Sequence, residues 1–463
     1  MQSTNKLIPL IREGSLELHC VNIKIWQVNG VELLGHGVIK INKHGVLYLD
    51  FVCTSSIKAP NVLFTEKHPK DSLNEEDVFY LECETLDGDK LNSSHFSVEF
   101  SLADSSPPVH KHIILSSIRC EEVEEEVDDN LLFIEFTEFC DIPANRSNFE
   151  KSTLGGESLS WNQTIINMDD FEISIVDKKQ YTYVRVKGNF NTERVLECLK
   201  FYIGFTCGSM IQPIFSIERQ KQHKVSKIHS IRNLRKNQRS SNPVPSTYTR
   251  SNKVEKDFHY EIFKSIYNLY ENKPKSFESI YSQWKRVWHS FQSENSITAL
   301  TLSVAVEGLL NDIFIPKFKK FGFNDHVISE IERVKSLVSE LDLTPEQVNR
   351  LKGSISYWKN ITAAKALEYL VNLEVITLDE KKSWSNLRNS SAHPKTKEID
   401  TGSLETERDE LLRCLNLFHN LIFNVIKYSG PRYYWSVNSE NPLKYIENIE
   451  ITESSKHKIK PKH

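Results

Sequence analysis

The hydrophobic period of this 463-residue chain changes partway along, and that change constrains the fold more than any single motif does. In the first part apolar and polar side chains alternate. Such runs occur at Leu16–Trp26, at Val38–Val52 around a Lys43-His44-Gly45 turn, and at Val78–Cys83, His95–Leu102, Phe171–Ile175 and Tyr181–Val186. Turn signals separate them: Asn29-Gly30, Asp87-Gly88-Asp89 and Gly155-Gly156. Period 2 places alternate side chains on opposite faces of a strand, so many short runs of this kind predict an antiparallel sandwich or barrel-like domain over residues 1–215. From Thr192 the spacing lengthens. Val195, Leu196, Leu199 and Tyr202 predict a helix that closes this domain.

After Lys256 the period stays near 3.6. Phe258, Ile262, Ile266 and Leu269 predict one helix, and Phe277–Phe291 a second. A third over Ser296–Phe318 is the most apolar, with Ile297, Leu300, Val304, Leu309, Leu310 and Ile313. Thr344-Pro345-Glu346-Gln347 is a start signal, with Thr as N-cap, Pro at the first position and Gln able to reach back to the cap. Short helices at 362–372 and 380–393 follow. A long one from Leu404 to Tyr428 stops at Gly430-Pro431. The expected class is therefore multidomain α+β, a β-rich N-terminal domain followed by an all-α bundle over 256–435 and a polar tail over 436–463.

Charge is close to balanced over the whole chain, 58 Lys+Arg against 62 Asp+Glu, and unevenly placed. Residues 121–129 hold seven carboxylates. They read either as a solvated loop or strand edge, or as an acidic docking surface. Residues 218–256 hold eleven Lys/Arg and two acids, 11 − 2 = +9, with Ser-Asn-Pro-Val-Pro-Ser at 241–246. This composition predicts an inter-domain linker over 216–255, either simply solvated or tracking a phosphate backbone. The near-neutral total excludes only a chain that is basic throughout.

The first fifteen residues lack a basic segment followed by an apolar one, so no signal peptide is expected, and no apolar run is long enough to predict a membrane span. Eight cysteines, at 20, 53, 83, 120, 140, 198, 207 and 414, form no CxxC pair and no zinc-finger spacing. The expectation is reduced thiols in a cytoplasmic protein, with no metal and no cofactor.

Trp384-Ser385-Asn386-Leu387-Arg388-Asn389-Ser390-Ser391-Ala392-His393-Pro394 is the stretch richest in chemistry. Asn389 and His393 are four apart and share a helix face. Arg388 and His393 are five apart, about 140° around the axis, yet a long Arg side chain still reaches a group held by the His. Pro394 disfavours helical geometry at His393, which places the ring at a helix end whose partial negative charge favours the protonated form. A histidine can take the proton of a ribose 2′-OH or protonate a leaving 5′-oxygen, and a guanidinium stabilises phosphorane charge through paired hydrogen bonds. No cluster of acids for a two-metal site accompanies them. Arg12…His19 and Arg413…His419 show comparable spacing. Arg12 falls in a strand-type region, and Arg413 and His419 read as ordinary positions of an amphipathic helix.

The Leu387-Arg388-Asn389-Ser390-Ser391-Ala392-His393-Pro394 run resembles the Arg-polar-x3-His signature of HEPN-domain ribonucleases. The apolar helix carrying Glu307, the segment Lys427–Tyr434, and the order of a β-rich domain before a helical bundle resemble the ApeA-like branch. The resemblance covers residues 256–435, and the N-terminal part by architecture alone. It implies a HEPN-type helical bundle that homodimerises, so that Arg and His of two protomers form a composite cleft. It also implies a bacterial anti-phage effector that cleaves RNA, tRNA among the substrates, in abortive infection when a phage-encoded trigger is sensed. Arg388 and His393 carry over as catalytic and Asn389 as the polar residue of the motif. Some families add an acid and a base four apart on an earlier helix. Here the residue four after Glu307 is Asn311, so Glu307 carries over no catalytic role; it reads either as an acid that orients Arg388 or as an ordinary residue of the helix's polar face. The rivals are an inactive HEPN dimerisation and RNA-binding module, and a carbohydrate-binding sandwich with a helical appendage.

Overall fold

Alternation dictates most of what the strands do. In a computed structural model, residues 4–28, 30–56, 78–99, 108–126, 129–136, 140–151, 157–178, 180–231, 242–245, 257–392, 401–437 and 443–458 are described. The chain divides into two compact units, Met1–Val195 with Ile211–Lys236, and Leu196–Met210 with Asn237–His463.

The first unit opens with helix α1 (Thr4–Glu13), so Arg12 lies on a helix and not in the strand-type region expected for it. Fourteen strands follow: β1 (Glu17–Trp26), β2 (Glu32–Ile41), β3 (Leu47–Ser56), β4 (Phe79–Thr85), β5 (Lys90–Phe96), β6 (Val109–Ile114), β7 (Ser117–Val123), β8 (Asn130–Phe136), β9 (Arg146–Lys151), β10 (Glu157–Asn167), β11 (Phe171–Asp177), β12 (Thr182–Gly188), β13 (Pro213–Gln220) and β14 (His223–His229). They join in one hydrogen-bonded sheet, in the order β6-β3-β2-β1-β4-β5-β7-β14-β13-β8-β12-β11-β10-β9. On β3, Leu47, Leu49, Phe51 and Cys53 turn inward and the residues between them do not, as period 2 requires.

Several expectations need correction. The strand expected at His95–Leu102 lies earlier, because the Asp87-Gly88 turn sets Glu84 opposite Lys90 and His95 adopts φ 60, which breaks the alternation. The first part of the expected linker is not linker. Residues 213–229 form the β13–β14 hairpin, and β14 sits beside β7 with Lys224 opposite Glu122. Lys224 Nζ lies 3.0 Å from Glu122 and 2.8 Å from Glu124, and Arg219 lies 3.2 Å from Glu124. The acidic and basic blocks therefore partly neutralise each other within one sheet. Residues 232–241 and 246–256 of the expected linker lie outside the described residues. Buried Glu135 on β8 is held by Arg12, whose Nε and Nη2 donate to its two oxygens at 2.5 and 2.6 Å.

The helical unit begins inside α2 (Thr192–Cys207). This helix does not simply close the strand domain: from Leu196 onward its residues cluster with the second unit. The reason is aromatic. Phe201 meets Phe277, Tyr281 and Trp284, Tyr202 meets His259 and Phe263, and Phe205 meets His419 and Phe423. The remaining helices are α3 (Asp257–Asn272), α4 (Pro274–Ser290), α5 (Asn295–Leu309), α6 (Ile315–Lys320), α7 (Asp325–Ser339), α8 (Pro345–Ser356), α9 (Ala363–Asn372), α10 (Leu378–Ala392) and α11 (Thr401–Val425).

A π-turn at Leu310–Phe314 joins α5 to α6. Pro316 has no N–H to donate to the carbonyl of residue 312 and its ring crowds that carbonyl, so the ladder widens there. By length and composition Asn295–Lys320 is apolar enough to cross a membrane, yet Leu302, Val306, Leu309, Phe314 and Phe318 on it are buried in the unit's core. The tail turns back as a hairpin, β15 (Gly430–Tyr433) with β16 (Leu443–Ile446), so the second unit is not purely helical. The eight cysteines are buried, with no disulfide among the described residues.

Candidate active site on the helical unit

Arg388 lies on α10, the last helix but one, and three devices fix that helix. Its start is a reciprocal cap. The Glu380 N–H donates to the Thr377 hydroxyl at 3.2 Å, and the Thr377 N–H donates to the Glu380 carboxylate at 2.6 Å. The Thr-x-x-Glu pattern at 377–380 was present in the sequence and is the signal that marks this start. Glu380 is fully buried and also accepts from Asn420 Nδ2 on α11 at 2.8 Å. Burial pushes its carboxyl above the ordinary value, against the opposing pull of the cap and of Arg432. One turn before Arg388, the buried Trp384 indole donates to the Ser303 carbonyl of α5 at 3.0 Å, and Leu387 is also buried.

These contacts bring Arg388 against Glu307, 81 positions away in the chain but adjacent across α5 and α10. Arg388 Nε donates to Glu307 Oε2 at 3.0 Å, and Nη2 donates to Oε1 at 3.4 Å. The guanidinium carbon stands 5.7 Å from the centre of the Trp384 ring. The Arg388 side chain is 51% exposed and that of Glu307 31%. This side-on pairing uses two of the five guanidinium N–H groups, and the others remain for an anion arriving from solvent. Glu307 thus holds Arg388. Asn389 is exposed next to it. His393 lies outside the described residues, so the structure places two of the three motif residues.

The other two Arg…His spacings do not form sites. Arg12 is bound to Glu135 and its guanidinium stacks 3.5 Å from the Tyr181 ring centre. Arg413 pairs with Asp409 at 2.7 Å and with Asp379 at 3.5 Å, while His419 is buried beside Phe205, where desolvation, with Arg432 nearby, keeps its ring well below the usual histidine value.

Along α5, Ile297, Leu300, Val304 and Glu307 follow one another at spacings of three and four. The three apolar members are about half exposed. They make an apolar stripe that ends at the Arg388–Glu307 pair.

In the strand unit, a shallow groove of about 960 Å³ crosses the bulge in β1 and is lined by Asn22, Lys24, His36, Glu82, Lys90 and Asn92 among others. Among the described residues no Trp, Tyr or Phe lines it. Asp89, Cys120 and Glu122 bring three potential metal-ligand atoms within 4.8 Å of one another, but Lys224 already sets its ammonium against Glu122. No family model, no curated protein and no solved structure matches the chain.

Proposed function

We propose that the chain is a metal-independent endoribonuclease of the HEPN type. The observation that supports this reading is the Arg388–Glu307 pair, a guanidinium fixed by a carboxylate at the solvent-facing side of α10 five residues before His393. In this mechanism His393 removes the proton from a ribose 2′-OH. The 2′-oxygen attacks phosphorus, the bond to the 5′-oxygen breaks, and the leaving oxygen takes up a proton from an imidazolium. Arg388 donates two hydrogen bonds to the non-bridging oxygens as their charge grows. Asn389 holds the imidazole or a phosphate oxygen. Glu307 sets the rotamer of Arg388.

The half-exposed stripe Ile297-Leu300-Val304 supports a homodimer through this face of the helical unit, because contiguous apolar surface of that kind is characteristic of protein contacts. The proposed setting is a cytoplasmic anti-phage effector acting on tRNA, with the strand unit as the sensor of a phage-encoded trigger. The carbohydrate-binding reading has less support, since the groove of the strand unit lacks the aromatic platform that sugars stack on.

Purified full-length protein incubated with tRNA and EDTA is expected to cut the RNA, and Arg388→Ala and His393→Ala are each expected to abolish cutting. RNA binding without cutting by the wild type would favour the inactive dimerisation and RNA-binding module. Cutting that survives both substitutions would overturn the assignment.

A further inference from the structure

Helices α7 and α8 form a hairpin with a small core of its own, Ile331, Val338 and Ile355, against which Val327, Val334 and Val348 pack. Its base is tied. Asn324 Nδ2 donates to the Lys359 carbonyl at 2.6 Å, and the Tyr369 hydroxyl donates to the Phe323 carbonyl at 3.3 Å. Between those ties, at the end of α8, a 3-10 turn over Tyr357–Lys359 presents two neighbouring aromatic side chains to solvent, Tyr357 at 74% and Trp358 at 54% exposure. Among the described residues neither side chain meets another ring or makes a hydrogen bond. Two bare aromatic rings side by side are costly to hold in water unless something covers them.

The charge along this part of the chain points to a polyanion. From Gln347 to Leu367 the chain carries Arg350, Lys352, Lys359 and Lys365 and no acid, a net charge of +4. Arg350 is paired with Glu346 and Lys365 with Glu368, the acids immediately outside this stretch. Lys352 and Lys359, which flank the aromatic turn, have no carboxylate partner among the described residues.

We propose that this turn is a second contact site for single-stranded RNA, with Tyr357 and Trp358 stacking on bases and Lys352 and Lys359 neutralising phosphates. Aromatic faces accept any base, and a flexible strand can splay its bases onto them, which a duplex cannot. The two lysines suit any polyanion, and the pair of exposed rings singles out one whose bases are free to stack. The inference deepens the nuclease reading, since it says how substrate is held apart from the cleft, but it does not need cleavage to be true.

The test is fluorescence anisotropy of a labelled 20-nucleotide oligouridylate with the full chain carrying Arg388→Ala, so that the RNA stays intact. Tyr357→Ala/Trp358→Ala is expected to weaken binding at least tenfold and to leave the salt dependence of binding unchanged. Lys352→Ala/Lys359→Ala is expected to weaken binding and also to flatten that dependence. All four side chains are exposed or half-exposed, and an unchanged thermal midpoint verifies the fold. Unaltered affinity in the aromatic variant overturns the proposal. So does a variant that dissociates a dimer in size-exclusion chromatography without losing affinity per protomer, which would assign the rings to a contact between copies. If the wild type fails to cut RNA while this binding pattern holds, only the nuclease reading is lost. If cutting proceeds with unchanged KM in the aromatic variant, only the present proposal is lost.

Discussion

At the scale of single residues, the Arg388–Glu307 pair makes a separable prediction. Both side chains reach solvent, and an exposed ion pair contributes about 0–1 kcal/mol to stability. A misplaced catalytic group, by contrast, can cost on the order of a hundredfold in rate. Glu307→Ala should therefore lower kcat by about ten- to a hundredfold, with KM and urea midpoint little changed, and Glu307→Gln should restore part of the rate. A matched loss of stability would make Glu307 merely structural. The strand unit holds a second informative carboxyl. Burial pushes Asp177 up to about 7, although the Thr182 hydroxyl donates to it at 2.8 Å. Its folded value lies above the unfolded one, so its contribution is fully present below the ordinary carboxylate range and is lost as pH rises toward 7. Stability measured as wild type minus Asp177→Asn should fall by on the order of 3 kcal/mol between pH 5 and pH 8, read from urea unfolding at the two pH values. A flat difference would contradict the burial argument. Of these residues Arg388 was legible in the sequence, because a motif marks it. That Glu307 holds it was not, because 81 positions separate the two and only the packing of α5 on α10 joins them.

At the scale of elements, helices were legible where end signals accompany the period. Thr344-Pro345-Glu346-Gln347 does form a capping box, with the Thr344 N–H donating to Gln347 Oε1 at 2.9 Å. Thr344→Ala should cost about 1 kcal/mol and, because α7 and α8 share a small core, should loosen both. Hydrogen exchange of α7 amides checks it, and protection unchanged in α7 would show that the two helices do not open together. The same kind of signal at Thr377 went unread, although it sets the start of the helix that carries Arg388. Strands were legible where alternation is clean, as in β3. They were missed where the run is continuously apolar, as with Leu131-Leu132-Phe133-Ile134 of β8, since such a run carries no period even though only Leu132 and Ile134 of it are fully buried. The π-turn at Leu310–Phe314 was also beyond reach, as Pro316 alone does not say whether a helix will break or widen.

At the scale of the whole molecule, a near-neutral total hides blocks of opposite charge, and the structure changes what those blocks mean. Glu122 and Glu124 of the acidic stretch pair with Arg219 and Lys224 of the basic one beside β7 and β14, so that part of the basic charge serves the sheet. Within the described helical unit, Arg388 and the lysines near the Tyr357-Trp358 turn are among the basic groups that reach solvent. The division of labour proposed here assigns sensing to the strand unit and chemistry to the helical unit. Its central claim is that the 2′-oxygen of RNA is the nucleophile, activated by His393 and assisted by Arg388, and the chemistry of the product ends tests it most directly. Mass spectrometry of tRNA fragments made by the full-length protein in EDTA should find 2′,3′-cyclic phosphate on one side of each cut and a 5′-hydroxyl on the other, and no fragments from Arg388→Ala. Fragments ending in 3′-hydroxyl and 5′-phosphate, or intact tRNA with the wild-type protein, would contradict it.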